Sequence, residues 1–159
     1  MTEPGGTRHD LIELERTFAV PPRQLFAAFS DDSIRRRWIR MPGSGASYEH
    51  EFSAGGGEVA RSGFTLPDGT PQILENRLRY LDIVPEKRLV WAYEAEVDAV
   101  VRWISLVTVE LEPVDDDQTR LTWVEQVTFL VRTGDGSADV PHLRGAIALR
   151  FNGLSVAVS

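Results

Sequence analysis

Residues 11–18 set Leu11, Glu13 and Glu15 against Ile12, Leu14, Arg16 and Phe18, a period of two that predicts a half-buried strand. Pro21 and Pro22 end it and suit the first turn of a helix, where a missing N–H costs nothing. That helix is expected over residues 22–29, burying Leu25, Phe26 and Phe29. Ser30, Asp31 and Asp32 offer caps for a second short helix ending near Trp38, with Ile34 and Trp38 on one face. A glycine and serine loop is expected over 41–47, then a short strand in which Tyr48, His50 and Phe52 alternate with Glu49 and Glu51. Gly55, Gly56 and Gly57 make a reversal, and further strands follow over 58–64, 75–83, 88–93, 100–112 and 120–131. Their separators include a Pro67-Asp68-Gly69 turn and an acidic hairpin loop at 113–118. From Val140 the period changes, because Val140, Leu143, Ile147, Phe151, Leu154 and Val158 recur at steps of three and four. One amphipathic helix over about 140–157 is predicted, with Asp139 as its cap and Pro141 in its first turn.

Seven strands and two short helices ahead of a long C-terminal helix make an α+β order, with the helices segregated from an antiparallel sheet. Alternation puts Leu89, Trp91 and Tyr93 on one face, with Val101, Trp103, Ser105, Val107 and Val109, and with Leu121, Trp123, Glu125, Val127 and Phe129. Arg102, Glu110, Thr122, Gln126 and Thr128 take the other face, which assigns the tryptophan-bearing face inward.

A chain of 159 residues, 42% hydrophobic and 26% charged, fits one domain, expected over residues 11–159 after a disordered segment at 1–10. Its longest apolar runs, 25–29 and 89–93, fall far short of the ~20 residues of a membrane span. The polar, acidic start is unlike a secretory signal, so a cytoplasmic protein is expected. The absence of cysteine excludes disulfides, thiolate metal sites and cysteine nucleophiles. A net charge of −7 argues against nucleic acid as partner. The one basic cluster, Arg35, Arg36, Arg37 and Arg40, reads as a solvated helix face or as a docking surface for an acidic partner. Lys87, the sole lysine, lies in a turn, which disfavours Schiff-base chemistry. His9, His50 and His142 lack metal-ligand spacing, the glycine run lacks the lysine of a phosphate loop, and no nucleophile elbow occurs. No metal and no cofactor are expected.

Five segments carry a family resemblance: RTFAVPPRQLFAAFSDDSIRRRW at residues 16–38, AGGGEV at 54–59, DIVPEKRLVWAYE at 82–94, TRLTWVEQ at 119–126 and HLRGAIALRFNGL at 142–154. In this order they resemble the SRPBCC superfamily and, within it, the homologues of the activator of the heat-shock-protein-90 ATPase. The resemblance spans about residues 11–155. It implies a helix-grip fold, also seen in START lipid-transfer and birch-pollen-allergen-like proteins, in which a curved seven-stranded sheet wraps the C-terminal helix and leaves an apolar cavity. The superfamily hosts lipid carriers, cyclases, ring-hydroxylating subunits and co-chaperones, so function has to come from the site.

On that fold Trp91, Trp103, Trp123 and Phe129 are expected either to fill the core or to line a pocket with Ile147 and Phe151, closed at one end by Trp38. Glu125 shares their face, and a buried carboxylate needs a partner. Arg77, Arg79 and His50 are the candidates, and Arg79 is the expected one. Three functions follow: binding of a small hydrophobic molecule with Glu125 as polar anchor, regulation of a protein partner, or a cyclase or hydrolase activity using Glu125. A homodimer is expected from the uncharged end at 154–159 and the arginine cluster.

Overall fold

The computed structural model describes residues 6–39 and 43–159. Its elements are β1 (Arg8–Phe18), α1 (Pro22–Ser30), α2 (Asp32–Trp38), β2 (Ser44–His50), β3 (Gly57–Thr65), β4 (Pro71–Val84), β5 (Arg88–Val97), β6 (Val100–Asp115), β7 (Gln118–Phe129) and α3 (Asp139–Ala157). All seven strands form one antiparallel sheet in the order β1-β7-β6-β5-β4-β3-β2. Strands β2 to β7 are thus a meander, and β1 returns to pair with β7. The result is a curved open sheet with α3 laid on one face, the helix-grip arrangement that the resemblance implied.

Local chemistry sets the corners. Asp31 caps α2 by accepting from the Ser33 N–H at 2.9 Å. Gly57 opens β3 so close to β4 that a Cβ there would lie 2.0 Å from the Leu78 carbonyl oxygen, which only glycine avoids. Several strands run further than their own alternation shows, because a neighbouring ladder extends them. Arg8, His9 and Asp10 belong to β1, paired with Phe129, Thr128 and Val127, so the expected disorder at 1–10 does not hold for them. Residues 1–5 lie outside the described residues. The expected loop at 41–47 is strand from Ser44 onward, irregular between Ser44 and Ser47, while residues 40–42 are again outside the description.

The core lies between the concave sheet face and the helices. Leu143, Ile147, Phe151 and Leu154 of α3 are buried as their spacing predicts. Phe151 meets Phe18 and Trp123 edge-on, with ring centroids 6.1 and 6.0 Å away. Phe151→Ala is therefore expected to cost about 3 to 5 kcal/mol. Urea melts of the variant and the parent that overlaid would show α3 not to be docked this way.

Both ends of α3 differ from expectation. The N-cap is Ala138, with no side-chain cap, and Asp139 is instead the first helical residue. Its carboxylate turns back to accept from the Thr133 N–H, at 3.3 and 3.2 Å to its two oxygens. At the other end Leu154, Ala157 and Val158 are buried, and the Gln24 side-chain amide donates to the Val158 carbonyl at 3.0 Å. Of the apolar residues at that end, Leu154, Ala157 and Val158 are thus covered within the same chain and Val156 is exposed, as are Ser155 and Ser159. The apolar surface invoked there for a homodimer is largely covered.

Candidate functional site

Along β7 every second residue from Leu121 to Phe129 is buried, and Glu125 sits in the middle of that row with none of its surface exposed. Strand register supplies its partners, since Tyr93 on β5 pairs with Ser105 on β6 and Ser105 pairs with Val127. The Tyr93 hydroxyl donates to Glu125 Oε2 at 2.6 Å and the Ser105 hydroxyl to the same oxygen at 2.7 Å. Trp123 Nε1–H donates to Oε1 at 3.2 Å. Trp103 Nε1–H donates to the Tyr93 oxygen at 2.9 Å, extending the chain outward. Burial, reinforced by the charge of Glu125, pushes the Tyr93 hydroxyl above its usual range, with Arg150 on α3 acting the other way. Glu125 is thus held by neutral donors and not by the expected arginine. Arg79 is exposed and pairs across the ladder with Ala92, on the face away from Trp91 and Tyr93. Arg77 is also exposed and pairs with Glu75 at 2.8 Å.

A second buried carboxylate was not anticipated. Arg35, expected on a solvated face, is 2% exposed, and its Nε lies 2.5 Å from Glu58 Oε2. Arg35 Nε also donates to the Tyr48 hydroxyl at 2.9 Å, and that hydroxyl donates to Glu58. His50 belongs to this cluster, not to Glu125: its Nδ1 contacts Asp32 and its Nε2 lies 2.7 Å from the Tyr80 hydroxyl. Burial raises the pKa of Glu58, but the guanidinium of Arg35 and its hydrogen bonds outweigh that and hold the carboxyl below its usual range. Burial works against the charge of Arg35, and Glu58 more than offsets it. Arg36 and Arg37 remain exposed, and Arg40 lies outside the described residues.

Two clefts open where the N-terminal half of α3 leaves the sheet. The larger, of about 800 Å³, runs between α3 and β4 to β6 and is lined by Trp38, Ala95, Trp103, Ala146, Leu149 and Arg150, among others. The smaller, of about 350 Å³, is lined by Arg102, Trp103, Phe129, Asp139, His142 and Leu143, among others. Val97, Trp103 and His142 border both. Of the residues expected to line a pocket, Trp38, Trp103 and Phe129 do so. Trp91 and Trp123 are closed into the core, edge-to-face at 5.1 Å, and Ile147 and Phe151 are buried with them. Glu125 lies two hydrogen bonds behind the cleft, reached through Trp103 and Tyr93.

Arg102 is the other departure. In the β5–β6 ladder Ala95 pairs with Trp103 and Glu96 with Val101, so Arg102 is an extra residue with no partner on β5. This bulge turns Arg102 from the outer face, where alternation places it, into the smaller cleft beside Trp103. Among the described residues no cluster of three or more metal-ligating side chains occurs, and no helix is long and apolar enough to cross a membrane.

The family described as Activator of Hsp90 ATPase homolog 1-like protein matches residues 19–139. The chain belongs to this family. A solved protein from Rhizobium leguminosarum is 26% identical, with a TM-score of 0.80 over 96% of each chain. The Mll3558 protein of Rhizobium loti is 33% identical, with a TM-score of 0.78 over 96% of this chain and 99% of that one. CalU16 of Micromonospora echinospora, at 15% identity and a TM-score of 0.62 over 98% and 87%, shares the fold. No protein with a curated description matches.

Proposed function

We propose that this member of the Hsp90-activator-like family binds a small, mainly apolar molecule in the cleft between α3 and strands β4 to β6. The supporting observation is Trp103. It is half-buried where Trp91 and Trp123 are sealed, it borders both clefts, and its N–H is tied through Tyr93 to Glu125. An aromatic held this way offers an apolar wall in a fixed orientation, as ligand pockets require. Glu125 then acts as a positioning group, since it meets no histidine or arginine hydrogen bond among the described residues.

Titration with the neutral fluorophore N-phenyl-1-naphthylamine is expected to quench tryptophan emission saturably. Trp103→Phe should weaken binding by roughly tenfold, about 1.4 kcal/mol, while the fold persists. Saturable binding unaltered by that substitution would place the ligand elsewhere. The family description favours a second reading, regulation of a protein partner, for which exposed Arg36 and Arg37 on α2 offer a charged surface. Stimulation of a purified Hsp90 ATPase, lost on replacing both arginines with glutamine, is the outcome that reading requires.

A further inference from the structure

Arg102 has a buried Nε that donates to nothing among the described residues, and its guanidinium makes no ion pair with any of them. With Nε sealed and unpaired, the hydrogen-bonding capacity left to this guanidinium lies at its terminal nitrogens, whose partners have to be water or a ligand in the cleft. The bulge that releases Arg102 from the alternation of β6 is a device for aiming a side chain, and it aims this one into the smaller cleft. There the apolar wall is supplied by Trp103, Phe129 and Leu143. The one carboxylate on that wall, Asp139, is engaged by the Thr133 N–H. The start of α3, with no side-chain cap at Ala138, borders the same space and adds the positive end of its dipole. His142 lines the cleft as a further donor, and Arg150 stands in the adjoining larger cleft, with Glu96 as the opposing charge there.

We infer that the ligand is an amphiphilic carboxylate, its apolar body against Trp103 and Phe129 and its carboxylate on the fork of Arg102. The inference rests on the binding reading above and specifies its ligand class. A guanidinium fork matches a carboxylate bidentately, which a neutral amide of the same shape cannot reproduce. The protein's net charge of −7 does not decide this, because inside a cleft the adjacent guanidinium outweighs distant surface charge.

The test is calorimetric titration of the full chain with 2-naphthoate and with 2-naphthamide, which differ mainly in charge. The carboxylate is expected to bind roughly tenfold tighter or better. Arg102→Gln should bring the ratio close to one while leaving the amide's affinity in place. Arg102→Lys, which keeps the charge but not the fork, should retain part of the preference and carries the test if the glutamine variant does not fold. Arg79→Gln, on the outer face, should leave the ratio unchanged. Equal binding of the two probes by the parent, or a preference that survives Arg102→Gln, overturns the anionic ligand and leaves the cleft reading standing. Binding of neither probe overturns both.

Discussion

Replacing Glu58 with glutamine is expected to destabilise the protein by about 3 to 5 kcal/mol near neutral pH, because it leaves Arg35 charged and buried without its counter-ion. The geometry sets this apart from the surface ion pairs. Arg35 and Glu58 side chains are 3% and 7% exposed, whereas Arg88 and Asp82 are 49% and 41% exposed, and such pairs contribute little. The sign with pH follows from the depressed carboxyl of Glu58. Unfolded, it titrates near its ordinary value of 4.5, and folded it titrates lower, so between the two the unfolded chain binds more protons. The stabilisation is therefore present above the ordinary value and is lost as pH falls through the folded one. Urea midpoints of parent and Glu58→Gln should differ most near neutrality and converge in acid. A gap of constant size down to about pH 3 would mean that the carboxylate charge is not what holds Arg35. Tyr48→Phe, which removes one donor to Glu58, should cost only about 1 to 3 kcal/mol.

The sequence made some of this architecture legible because two periodicities are long enough to read. Within α3, Leu143, Ile147, Phe151 and Leu154 recur at steps of four, four and three although Leu149 and Val156 are exposed, and in β7 the apolar row Leu121, Trp123, Val127 and Phe129 carries Glu125 in phase, so the core face and the burial of Glu125 follow from register. What escaped did so where a residue count breaks the period. Plain alternation along β4 puts Arg79 on one face with Leu81 and Ile83, yet Tyr80 pairs with Trp91 and Asp82 with Val90, which leaves Leu81 unpaired on β4. That bulge reverses the parity, so Ile83 packs on the core while Arg79 faces outward. Arg102 was misplaced by a second bulge in the same way. Arg35 was missed for a different reason. Helix α2 has seven residues, too few for a stripe, and three consecutive arginines read as a solvated surface. One signal was available in β3, where Glu58 is in phase with Ala60 and Ser62, a row that the structure buries.

Glu125 joins the core to the cleft, and two substitutions separate its roles. Glu125→Ala removes the acceptor of the Tyr93, Ser105 and Trp123 donors at once, in a site with no measurable exposure. Each stranded donor costs about 1 to 3 kcal/mol, so roughly 3 to 6 kcal/mol is expected in a urea melt, allowing for relaxation into the cavity. Glu125→Gln is nearly isosteric. Its carbonyl oxygen can take the Oε2 position and keep both hydroxyl donors, but its amide then faces Trp123 Nε1–H donor to donor. That conflict should cost about 1 to 3 kcal/mol, well short of the alanine variant. The chain from Glu125 through Tyr93 to Trp103 predicts that the glutamine variant also alters the tryptophan emission response to N-phenyl-1-naphthylamine, since the group orienting Trp103 has changed. Equal destabilisation by alanine and glutamine would show that the charge and the Trp123 acceptor, which both variants lose, hold the site, and not the side chain's shape or its two hydroxyl hydrogen bonds. A glutamine variant with an unaltered ligand response would disconnect the buried network from the cleft.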